Sequence, residues 1–109
     1  MAEQPQLVPL DGSLNVLPGF IDFHAKHNPT RAWAKFPSFS NPSEATSVSF
    51  GDFAKATHRI AHTVRPGRAG NDGEVVAVFI HCDTILYLAL LAGLVRAGFV
   101  VCSYHIPFP

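Results

Sequence analysis

With 109 residues, eight basic and eight acidic side chains and zero formal net charge, the chain fits one small domain. It carries no basic stripe for a phosphate backbone and no acidic tail, so nucleic acid is not an expected partner. Apolar residues make up 48% of the chain, which excludes wholesale disorder. The two cysteines, Cys82 and Cys102, supply no disulfide framework and read as a reducing, cytoplasmic setting.

The opening "MAEQPQLVPLDGS" has neither a basic flank nor an apolar core and is not a signal peptide. Residues 1–16 are rich in proline and short polar residues, show no period, and are expected to form an irregular arm. Residues 17–109 are expected to make up the remaining domain. A helix is predicted from Pro18, which suits a first helical position. Phe20, Ile21, Phe23 and Ala25 give it apolar surface, and Asn28-Pro29 stops it. Ala32 to Phe36 alternates weakly and reads as a short strand. "PSFSNPSEATS", residues 37–47, reads as a loop.

Ser49 opens the clearest helix. Ser49-Phe50-Gly51-Asp52 approximates a capping box. Phe50, Phe53, Thr57, Ile60, Ala61 and Val64 fall on one face, and Asp52, Lys55, Arg59 and His62 on the other. Pro66-Gly67 ends the helix, and "RPGRAGNDGE" reads as a turn-rich surface loop.

"EVVAVFI", Glu74 to Ile80, has the near-continuous apolar pattern of a strand buried on both faces. Asp83 is placed to cap a helix over Thr84–Ala97, and Gly98 to close it in the left-handed conformation. Arg96 in the last turn suits the helix dipole. "FVVCSY", Phe99 to Tyr104, is a second apolar strand. The three elements form a βαβ unit with parallel strands and a right-handed crossover. Its connector contains an unbroken apolar run from Ile85 to Val95, about half the ~20 residues a membrane span needs, bracketed by Asp83 and Arg96. A buried helix is the reading preferred here, and a membrane segment the alternative. Ala89, Ala92 and Gly93 make a small-residue stripe, while Tyr87, Leu90, Leu91 and Leu94 make a bulky opposite face. Such a helix needs covering on more than one side. Two parallel strands also leave two edges whose backbone groups need partners. More protein is therefore expected after Pro109, or else self-association through the sheet edges.

Candidate chemistry is sparse. His81-Cys82 and Cys102-x-x-His105 sit near the ends of the two strands, at one edge of the sheet, and zinc takes Cys and His ligands. Adjacent strand residues diverge, however, and the spacing fits no common zinc pattern. The cysteines read better as buried small hydrophobes. His58 with His62, and His24 with His27, have helical metal-pair spacing but lack an acidic third ligand nearby. Ser103 and His105 lack a strand-to-helix elbow. Cys82 precedes a helix, where a thiol pKa falls, but a structural thiol is the plainer reading. The turn "HCDT" has no glycine, and Asp83 brings a negative charge to the place a phosphate would occupy. Pro66-Gly67-Arg68-Ala69-Gly70 is glycine-rich but precedes a strand, the wrong context for a phosphate loop. No catalytic, cofactor-binding or metal residue is assigned.

Two stretches together resemble a known family. "SVSFGDFAKATHRIAHTV" resembles the early motif of adenylate-forming (AMP-binding) enzymes, the superfamily of acyl-CoA synthetases, luciferases and adenylation domains. Ser49, Phe50, Gly51, Asp52 and Phe53 occupy that motif, with Asp for the usual Glu and Phe for the usual Leu. "LVRAGFVV", Leu94 to Val101, resembles the second motif. "LPGFIDFHAKHNPTRAWAKF" resembles the family's opening helix and first strand, and the "FVV…PFP" ending is most like the adenylation domains of fungal carboxylic acid reductases and nonribosomal-peptide-synthetase-like proteins.

The resemblance implies an α/β fold. It would be an incomplete parallel sheet with a right-handed βαβ unit and an amphipathic helix packed on it, part of a larger N-terminal subdomain. It implies a parent that joins a carboxylate to AMP with ATP and magnesium, releases pyrophosphate, and passes the acyl group to a thiol, with reduction as a possible later step. The family's phosphate loop, its ATP- and ribose-binding acids, its substrate pocket and its catalytic lysine have no counterpart in this sequence. The chain itself is thus expected to be inactive, with ATP and magnesium belonging to the parent. The competing expectations are a small α/β interaction module that completes its sheet on a partner or on itself, and a membrane-associated protein.

Overall fold

The computed structural model describes residues 6–38 and 40–105, with residues 103–105 as backbone. Residues 1–5 of the expected arm, Phe39 and the "PFP" ending lie outside the described residues. The chain divides into two compact units, Met1–Lys55 and Ala56–Pro109.

In the first unit, residues 6–16 form no helix or strand. The expected first helix is present as α1, Leu17–His27, with Pro18 at its start and Ile21 buried. The amide of Asn28 donates to the His24 carbonyl, and the chain leaves the helix just before Pro29, as the clash of a proline ring with a preceding helical residue requires. Strand β1, Ala32–Pro37, follows. The stretch read as a loop over 37–47 needs correction, because its end belongs to a second strand, β2, Ala45–Ser49. It pairs antiparallel with β1, with Phe36 opposite Thr46 and Ala32 opposite Ser49. Thr46 and Val48 are β-branched and suit a half-exposed strand, but the serines around them mask the signal.

Helix α2, Phe50–Val64, starts directly from β2. Its first amides, which have no partner within a helix, are taken in turn. Phe50 N–H donates to the Arg31 carbonyl at 2.9 Å and Gly51 N–H to the Pro29 carbonyl at 3.0 Å. Asp52 N–H donates to Ser49 Oγ at 3.1 Å, the expected cap.

In the second unit, α2 runs on to Val64 and a single 3₁₀ turn, Pro66–Arg68, follows. Strands β3, Val75–Ile80, and β4, Val100–His105, are parallel, with Val75 opposite Val100 and Ile80 opposite His105. Helix α3, Thr84–Arg96, connects them, capped by Asp83 Oδ1 accepting from Leu86 N–H at 2.9 Å. Gly98 takes φ +94°, so the left-handed helix end is present as expected. Val78, Tyr87 and Leu94 centre the core, with Val76, Ile80, Cys82, Leu90, Leu91, Phe99 and Val101 packed around them. The bulky face of α3 thus lies on one side of the parallel sheet. No helix among the described residues is long and apolar enough to cross a membrane.

Two packing expectations are overturned. Strand β3 is not buried on both faces. Val76, Val78 and Ile80 face the core, whereas Val75 and Phe79 are 67% and 71% exposed, as is Val100 on β4 at 53%. The apolar run is continuous because both faces are apolar, not because both are covered. Val64 also leaves the core, being exposed at the last turn of α2, where the backbone is about to break away at Pro66.

Candidate functional site

The two motif stretches do structural work that can be read residue by residue. In "SFGDF", Ser49 caps α2, as described above. A Cβ added at Gly51 would lie 3.1 Å from the Pro29 carbonyl oxygen, so glycine lets the helix start seat against the 29–31 turn. Phe53 is buried and stacks on Trp33 of β1 with ring centres 3.7 Å apart and planes within 7°. The tryptophan gives the departure from leucine at this position a partner that a leucine would not stack on.

In "LVRAGFVV", Leu94 belongs to the βαβ core. Arg96 Nε donates to Thr57 Oγ1 at 3.1 Å, and Thr57 is fully buried on α2. The α3 small-residue stripe is where α2 comes close. A Cβ on Gly93 would meet Ile60 Cγ2 at 2.5 Å and the Thr57 carbonyl at 3.2 Å. Ala97 is buried, and its carbonyl accepts from Arg65 at 2.6 Å.

Arg65 is the residue that sequence reasoning missed. It was placed in a surface loop, yet its side chain is only 6% exposed. Its guanidinium donates through Nε to the Ala69 carbonyl at 3.0 Å, through Nη2 to the Gly70 carbonyl at 3.0 Å, and through Nη1 to Ala97 and to Asp72. Arg68 adds bonds to the Arg96 carbonyl and to Asp72. The fork geometry of arginine collects several carbonyls at once, which a lysine cannot do. Hydrogen bonding to Arg65, followed by the positive charges of Arg65 and Arg68, holds the Asp72 carboxyl below its ordinary value of 3.8. The one available signal was the position itself, an arginine between a helix end and a glycine-rich turn whose carbonyls need donors.

Among the described residues, the members of the candidate constellations are each placed by local packing. His24 stacks on Phe50 at 4.6 Å, while His27 lies against Phe23. His58 and His62 lie on the exposed side of α2. Cys82 packs against the βαβ core, as a small hydrophobe should. Cys102 does not: it is exposed, opposite Ala77 on β3. It also lies three positions, about 10 Å of strand, back from the Ile80–His105 pair that adjoins His81. The side chains of Ser103 and His105 lie outside the described residues. Among the described residues, no three His, Cys, Asp or Glu side chains are grouped to hold a metal. The glycine-rich turn after α2 aims the carbonyls of Ala69 and Gly70 at Arg65, presenting acceptors rather than the N–H donors an anion needs. At the start of α3 the Asp83 carboxylate already occupies the place of a phosphate. Among the described residues, neither turn offers a phosphate a cradle of N–H donors.

Comparison with known proteins gives a consistent answer. No family model matches the chain. It is 44% identical over 101 residues to adenylate-forming reductase Nps11 of Serpula lacrymans var. lacrymans (strain S7.9), covering 93% of this chain and 9% of that protein. It is 43% identical over 83 residues to adenylate-forming reductase Nps9 of the same fungus, covering 73% of this chain and 7% of that protein. The chain thus spans less than a tenth of the length of the curated relatives it matches. Among solved structures, the fatty acyl-adenylate ligase from L. pneumophila, determined with acyl adenylate and pyrophosphate, matches with a TM-score of 0.65 over 83% of this chain and 15% of that one, at 14% identity. The likeness at that identity is one of fold, and it falls on an adenylate-forming ligase, as the sequence likeness falls on adenylate-forming reductases. By sequence and by fold, the chain corresponds to a segment of an adenylate-forming enzyme.

Proposed function

We propose that this chain is the N-terminal portion of an enzyme that activates a carboxylic acid with ATP to an acyl adenylate and hands the acyl group to a thiol, with reduction as the later step. The observation that carries the reading is the 44% identity to an adenylate-forming reductase over nearly the whole chain. On this reading the chemistry belongs to the remainder of the parent, and the chain alone is expected to be silent. Its role is architectural: it supplies a βαβ unit whose exposed face is a surface for the rest of the enzyme to cover. Burying each exposed Val or Phe of that face stabilises by roughly 1.5–3 kcal/mol, which favours assembly into a larger sheet over a free-standing module.

The test is a chimera in which this chain replaces the matching segment of Nps11. Carboxylate-dependent ATP–pyrophosphate exchange is expected in the chimera and not in the chain alone. A folded chimera without exchange, or exchange by the chain alone, contradicts the proposal.

A further inference from the structure

We propose that His24 and Asn28 form a proton-sensitive latch that holds Gln6 at the end of α1. Asn28 is buried, and its side-chain amide pairs with the backbone of Gln6 at two points. Gln6 N–H donates to Asn28 Oδ1 at 2.7 Å, and Asn28 Nδ2 donates to the Gln6 carbonyl at 2.9 Å. That pairing fixes which end of the amide is nitrogen, since turning it over would lose both bonds. The second hydrogen of Nδ2 then points to His24 Nδ1, 3.1 Å away. The amide Nδ2 can only donate, so Nδ1 is the acceptor in this hydrogen bond.

Adding a proton at Nδ1 sets donor against donor. Imidazole is the side chain that changes charge between about pH 5 and 8. The ring cannot simply be exchanged for its other nitrogen, because it is stacked on Phe50 and lies edge-on to Phe23 at 5.4 Å. Stacking on an aromatic face tolerates a cation, so the strain falls on Asn28. When the amide turns away, Gln6 loses both partners. Among the described residues, the groups found against the ring from outside α1 are Phe50 and the Asn28 amide, neither of them charged. Asp22, Lys26 and His27 are its titratable neighbours along α1, and Asp52 lies in the first turn of α2.

Nitrogen-15 NMR of the 109-residue chain decides the matter. At pH 7.5 the His24 Nδ1 resonance should be that of an unprotonated nitrogen. On acidification the Gln6 amide and the Asn28 side-chain amide should shift with the same midpoint as the His24 ring. In His24→Phe, which keeps an aromatic surface but does not titrate, the Gln6 amide should lose that pH response. A protonated Nδ1 at pH 7.5, a Gln6 amide that ignores the His24 titration in the wild-type chain, or an unchanged response in His24→Phe would each overturn the latch.

Discussion

Gly93→Val is expected to destabilise the chain by about 3 kcal/mol, read as a lowered midpoint in urea unfolding with an unchanged slope. Glycine in a helix interior is ordinarily a weakness, about 1 kcal/mol worse than alanine. Here the cost of filling the space outweighs that gain, because the first carbon of any side chain would lie 2.5 Å from Ile60 and 3.2 Å from the backbone of Thr57. Gly93→Ala should therefore lose stability rather than gain it. Ile60→Ala deletes Cγ2 but keeps a Cβ 2.6 Å from the added carbon and leaves the Thr57 carbonyl at 3.2 Å, so it should not rescue Gly93→Val. If Gly93→Ala is stabilising, as an exposed helix glycine would be, α2 does not rest on this stripe.

Arg65→Met should cost about 2–4 kcal/mol by the same measurement, because the carbonyls of Ala97, Ala69 and Gly70 lose a charged donor at one stroke. Arg65→Lys should restore little, as one ammonium cannot span those acceptors. Asp72→Asn should cost far less than Arg65→Met, because the Asp72 side chain is 71% exposed and its ion pair is screened by water. The sign of the pH effect follows. Asp72 is held below 3.8 in the folded chain, so its contribution is present above that value and is lost as pH falls through the lower folded value. The stability gap between wild type and Asp72→Asn should narrow only in that acid range. A gap that closes near neutrality would contradict the assigned pairing.

The local rules were legible where one residue decides the structure. Asp83 and Ser49 cap the helices they precede, and Gly98 turns left-handed. The βαβ unit could be read because hydrophobic period and turn residues agreed over residues 74–104. What escaped depends on partners distant in sequence. Strand β2 is a polar, serine-rich stretch that becomes a strand only because β1 lies beside it. Arg65 is charged and next to a proline, so it reads as surface. It is buried because Ala97, thirty-two residues on, brings it a carbonyl. The same limit explains β3, since sequence shows that both faces are apolar but not which one this chain covers. As for chemistry, the two motif stretches do structural work in this chain, capping α2 and packing α3 on it. The resemblance was informative about the parent and silent about a site.

In the proposed parent, the outer face of the β3–β4 sheet is an interior surface. Cys102 reports on it directly, being exposed among Val75, Phe79 and Val100. Thiol labelling, with the modified cysteine identified by mass spectrometry, should be rapid at Cys102 in the isolated chain and on the order of a hundredfold slower in the Nps11 chimera, where reaction would require local opening. Equal, rapid labelling of Cys102 in the isolated chain and in a folded chimera would contradict the claim.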